Sequence, residues 1–98
     1  MNLEEHIRIC ILEEDHLADT LIGHEEDADA IRAKLRTLVA AGAVELYTYG
    51  PGSDQPQVLP SQEALAIMGN AESWAWQSPS GVSQAFFLSR SQVGRLQP

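Results

Sequence analysis

Apolar positions recur at two different spacings along this chain, and the change between them marks its most informative stretch. From Asp27 to Tyr49 (DADAIRAKLRTLVAAGAVELYTY), Ile31, Leu35, Leu38 and Val39 follow one another at three- and four-residue intervals, which places them on one stripe of a helix. Asp27 is positioned to cap the start, because a short acidic side chain accepts the free backbone N–H groups there. Gly42 stands where a helix closes on a left-handed residue, a conformation that glycine adopts at little cost. The alternation then becomes that of a strand: Val44, Leu46 and Thr48 face one way, Glu45, Tyr47 and Tyr49 the other.

The same reasoning predicts the neighbouring elements. Asn2 with Glu5 forms a capping box ahead of a helix over 3–12, whose stripe is Leu3, Ile7, Cys10 and Ile11. The polar run Glu13-Glu14-Asp15 interrupts it. Asp15 then caps a second helix over 16–22, with Leu17, Ala18, Leu21 and Ile22 inward and Gly23 as its stop. The central helix spans 28–41 and its strand 43–49. Gly50 to Pro56 reads as loop, and Pro60 is a further break. Ser61 caps a short helix over 61–68, ended by Gly69. Residues 82–88 have strand composition, and Ser89 with Gln92 forms a second capping-box pattern ahead of a closing helical turn. The expected core is Leu3, Ile7, Ile11, Leu17, Leu21, Ile31, Leu35, Leu38, Val44, Leu46, Leu65, Phe86 and Leu88.

Charge alters this picture more than any motif does. The net charge is −8, and ten of the fourteen acids fall within residues 1–29, where Arg8 is the one base. The remainder is nearly neutral, and no Lys or Arg occurs between Arg36 and Arg90. The acidic N-terminus does not read as a signal peptide, and no apolar run reaches the length of a membrane span. With a single cysteine, Cys10, no internal disulfide forms, so a reducing, cytoplasmic compartment is expected.

Two segments carry a family resemblance. Ile31-x3-Leu35-x2-Leu38-Val39-x2-Gly42-x-Val44 resembles the junction of third helix and wing in MarR-like and PadR-like repressors. Phe86-Phe87-Leu88-Ser89-x4-Gly94-Arg95 is similar to the end of their second wing strand. The resemblance implies an α+β, winged helix-turn-helix-like domain over 1–98. Its parts would be a three-helix core (1–42) and a small antiparallel wing (43–98) carrying an inserted helix at 61–68. It departs from those repressors in the length of the insertion between the wing strands and in the longer spacing from Ser89 to Gly94.

In such repressors the third helix enters the major groove, which implies Asp27, Ala28, Asp29, Arg32, Ala33 and Arg36 as reading positions here. A DNA-binding regulator would rely on Arg32, Lys34 and Arg36, completed by Arg90 and Arg95. Yet Glu25, Glu26, Asp27 and Asp29 lead that helix towards a polyanion, and Tyr49 to Gln57 holds no cation. The expected role is therefore regulation through protein contacts, with a protein partner or a second copy as a homodimer. The contact would involve the first helix, the acidic residues Glu13, Glu14, Glu25 and Glu26, or the pair Trp74 and Trp76. Trp74 and Trp76 also have a plainer reading, as cover for the core beneath the insertion. A sharper form of the same class is an acidic DNA mimic or antitoxin-like inhibitor. Whether the five cations gather on one face away from Asp27 and Asp29 separates DNA from protein contact.

No enzyme is expected, nor any cofactor or metal. His6, His16 and His24 form no ligand motif and read as surface histidines. Gly81 to Ala85 lacks the second glycine of a nucleophile elbow, Gly50-Pro51-Gly52 has no lysine after it, and Cys10 lies on an apolar stripe.

Overall fold

Helix formation begins where the capping pattern places it. The Asn2 side chain accepts the Glu5 N–H at 2.8 Å, and α1 runs Leu3–Leu12 with Ile7, Cys10 and Ile11 buried. The computed structural model describes residues 2–49, 55–75 and 85–90. Within them lie α2 (Ala28–Ala40), β1 (Val44–Tyr49), β2 (Pro56–Val58), α3 (Ser61–Met68) and β3 (Phe87–Arg90). The fold is α+β: three α-helices and a three-stranded antiparallel sheet in the order β2-β1-β3.

The helix–glycine–strand unit forms as its periodicity requires. Gly42 has φ +78°, its N–H donates to Val39 O, and Ala43 N–H donates to Leu38 O, both at 3.0 Å. These two bonds are the paired closure that a left-handed residue permits at a helix end. β1 then alternates, with Val44, Leu46 and Thr48 buried and Tyr49 exposed. Asp27 occupies the start of α2 but makes no capping bond through its side chain; a 3-10 turn, Glu25–Asp27, leads in instead.

The second predicted helix differs. Over 16–22 the chain forms a single 3-10 turn, Leu17–Leu21, capped by His16 rather than Asp15. The reason is backbone competition. Asp15 O, the carbonyl with which an α-helix would make its first bond, accepts from Leu88 N–H in β3 at 3.0 Å, and Leu17 N–H donates to Phe86 O at 3.1 Å, so the start of the segment is tied to the sheet. Ile22, expected inward, is 62% exposed.

The C-terminal half holds further corrections. β2 starts at Pro56, the last residue of the stretch expected to be loop, and continues through Gln57 and Val58, for which no strand is expected; it is three residues long, exposed throughout, and pairs with β1 from Tyr47↔Val58 to Tyr49↔Pro56. β3 begins later than the predicted 82–88 strand, and residues 82–84 lie outside the described set. Ser89, expected to cap a closing helix, is instead 1% exposed within β3, opposite Glu45. Pro60, not Ser61, stands at the cap position of α3, and a third 3-10 turn, Ala71–Trp74, follows.

The core lies between the helices and one face of the sheet. Leu17, Ile31, Leu35, Leu46 and Leu88 are fully buried, each contributing roughly 1.5–3 kcal/mol from removal of apolar surface from water. Ile7, Ile11, Val44 and Phe86 are buried as expected; Leu3, Leu21, Leu38 and Leu65 pack against the core only partly buried. Cys10, Val39, Ala64, Met68 and Trp74 complete it.

His16 joins the two layers. It forms an antiparallel bridge to Phe87, and its Nδ1 accepts the Ala18 N–H at 2.8 Å. Burial lowers its pKa from the ordinary 6.5, with Asp19 opposing that shift. The unfolded chain then takes up a proton more readily than the folded one, so stability that is complete above pH 6.5 is lost as pH falls below that value. Urea unfolding at about pH 7.5 and about pH 5.5 should show this loss. It should be smaller in His16→Asn, whose side-chain oxygen can accept the same N–H. Equal pH slopes in the two proteins would exclude His16 as the source.

Candidate functional site

Two acidic segments bracket residues 15–24. Glu13 and Glu14 follow α1, and both are exposed. Glu14 has φ +54°, with Glu14 N–H donating to Ile11 O and Asp15 N–H to Cys10 O, so a glutamate holds the left-handed position that closes α1. Glu25, Glu26 and Asp27 form the 3-10 turn before α2, and Asp29 lies in its first turn, all exposed. Acids at this end are favoured by the partial positive charge of the unpaired N–H groups, each by roughly 0.3–1 kcal/mol.

The five cations expected to act together are divided. Arg32 is ion-paired with Asp29 one turn before it. Arg32 and Arg36 line a recess of about 390 Å³ between α2 and the α3 region, with Asp29, Met68 and Trp74 among its walls. Lys34 belongs to another surface. With Arg8 and Arg90 it lines a groove of about 570 Å³ floored by Ile7, Ile11, Leu38 and Val44. Arg95 lies outside the described residues. The would-be basic surface is thus broken between two recesses, one of them holding an acid already paired to its arginine.

No family model, curated protein or solved structure matches the chain.

The tryptophan pair is also split. Trp74 is 6% exposed and donates its indole N–H to Met68 O at 2.9 Å, which makes it cover for the core rather than an exposed anchor. Trp76 lies outside the described residues.

The reactive side chains are occupied structurally. His16, expected at the surface, is 3% exposed. His6 and His24 stack with ring centroids 3.8 Å apart. His6 Nε2 lies 2.8 Å from Thr20 O, and since a carbonyl only accepts, that nitrogen carries the proton. Cys10 Sγ approaches the same ring at 3.7 Å, and burial, followed by the nearby Asp15 carboxylate, pushes its thiol up to about 12. At neutral pH it is a protonated small hydrophobe, without the thiolate a nucleophile needs. Among the described residues no group of three or more His, Cys, Asp or Glu is placed to hold a metal ion. No described helix is long and apolar enough to cross a membrane.

Sequence reading found the acidic residues and missed the cationic groove. Arg8 stands on the wet side of α1, Lys34 in mid-α2 and Arg90 at the end of β3, so only the folded chain brings them together. No local spacing signals such a convergence.

Glu14 links the acidic surface to stability. Its left-handed backbone disfavours any residue with a Cβ. Glu14→Gly should raise the urea midpoint by up to about 1 kcal/mol of stability, while removing one surface charge. A lowered midpoint would show that the glutamate side chain contributes more than its backbone conformation costs.

Proposed function

We propose that this chain is a winged-helix module that regulates by contacting proteins, using its acidic surface against a basic partner. What supports the winged-helix reading is the order of elements: α1, the bridge at His16, a short second helical turn, α2, β1, then a returning β3. In that arrangement α2 takes the place of the helix that reads DNA in such repressors.

The observation that carries the proposal is the surface of α2 itself. Its leading end exposes Glu25, Glu26, Asp27 and Asp29, and the nearest arginine, Arg32, is engaged with Asp29. Duplex DNA presents a charge every ~1.7 Å, and affinity scales with the phosphates neutralised. A surface entering through four carboxylates repels that polymer and attracts a cationic protein face, where complementary charge speeds encounter and limits wrong pairing.

DNA recognition is the second reading, favoured by Arg32 and Arg36 standing one turn apart at the same recess. One pair of titrations separates the two. Fluorescence anisotropy against a mixed-sequence duplex at low salt should show no saturable binding, while a lysine-rich peptide should bind. That peptide should bind roughly tenfold more weakly to the variant Glu13→Gln, Glu14→Gln, Glu25→Gln, Glu26→Gln. Tight DNA binding that collapses as salt rises would reverse the order.

A further inference from the structure

The groove beside α1 is rimmed by cations on a chain that is acidic overall. The chain holds six Lys and Arg against fourteen Asp and Glu. Even so, three of those six, Arg8, Lys34 and Arg90, come from three separate elements to line this one groove, with Glu4 as its single described acid. Between them lies an apolar floor of Ile7, Ile11, Leu38 and Val44, with Leu12, 58% exposed, on the wall. Along α1 the groove reaches from Glu4 to Leu12, a length of about 12 Å at 1.5 Å per residue, or roughly two helical turns.

We propose that this groove receives an amphipathic helical segment of another protein, with its apolar stripe on the floor and carboxylates flanking it at the cationic rim. This goes beyond the acidic surface assigned above, since it gives the chain a second contact of reversed charge preference. Charge complementarity chooses the occupant. Arg8 has its Glu5 contact at 3.8 Å on the exposed surface, and such pairs hold a side chain only weakly. Among the described residues Lys34 has no carboxylate partner. At physiological ionic strength fields fade over about 8 Å. The acids leading α2 stand about 8 Å or more along the helix from Lys34, so the rim cations are the charges nearest a bound segment, with Glu4 beside them. An apolar floor with charged rims is the arrangement that reads a helix by its i, i+3, i+4, i+7 positions.

The test uses the full chain and three labelled peptides of about fourteen residues. One carries leucines at helical spacing with glutamates elsewhere, one is a scrambled version of it, and one has lysines in place of the glutamates. The glutamate peptide should bind saturably, and roughly tenfold more weakly to the exposed-site variants Arg8→Glu, Lys34→Glu and Leu12→Asp, checked for fold by circular dichroism. Glu25→Gln, Glu26→Gln should leave it unchanged while weakening the lysine peptide, so either surface can fail without the other. No saturation, equal affinity for the scrambled peptide, or indifference to all the groove variants would overturn the assignment. So would a dimer that Leu12→Asp returns to monomer, which would make a second copy the occupant. Tighter peptide binding by Val93→Ser, Leu96→Ser would give the groove to the chain's own end and overturn it as well.

Discussion

The structure depends on the strand Phe87–Arg90 and the residue before it having partners on both edges. On one side Leu88 donates to Asp15 O and Phe86 O accepts from Leu17, which fixes the end of α1 and the turn after it. On the other, Val44↔Arg90 to Tyr47↔Phe87 bind β3 to β1, and through Gly42 to α2. Each of those backbone groups would be costly to bury unpaired. Together they set the separation of α1 and α2, and with it the width of the groove whose rim ends at Arg90. Packing then follows: Leu88 and Leu46 sit opposite each other in the register and are both fully buried.

Local signals made a good part of this legible. The stripe Ile31, Leu35, Val39, the closure at Gly42 and the alternation of β1 are all consequences of residues within a few positions of one another. The Asn2 cap belongs to the same class. Where sequence reading failed, a distant segment had intervened. Residues 17–21 have the apolar content of an α-helix, yet Asp15 and Leu17 bond to residues 88 and 86 at the start of the segment, and it forms a 3-10 turn. Ser89 has the pattern of a cap, but β1 recruits it as a strand residue. Pro56–Val58 is an edge strand with every side chain exposed, so no alternation betrays it. The cationic groove was hidden for the same reason, because its members are far apart in sequence.

Charge is organised more finely than a net −8 suggests. Carboxylates collect where helix geometry favours them, at the leading turn of α2, and there they stabilise the helix whether or not a partner is present. That dual role explains why acidity at this position is compatible with a stable fold while being hostile to phosphate. The cations have no such helical rationale. Arg32 pairs with Asp29 and Arg8 with Glu5, while Arg8, Lys34 and Arg90 border one apolar depression. In the proposed module the two signs would address different partners, Lys34 standing seven residues after Asp27, about 10 Å along the helix axis.

The sheet margin bears on how this molecule avoids its own kind. Its outermost strand is only Pro56–Val58, and the proline there has no N–H to offer an incoming chain. The far margin is guarded differently: beyond β3 lies a lone bridge at His16, after which the backbone curls at once into a helical turn. Among the described residues neither border provides the long, flat ladder on which foreign strands nucleate. Edges of this kind discourage one copy of the described sheet from stacking strand-to-strand on another.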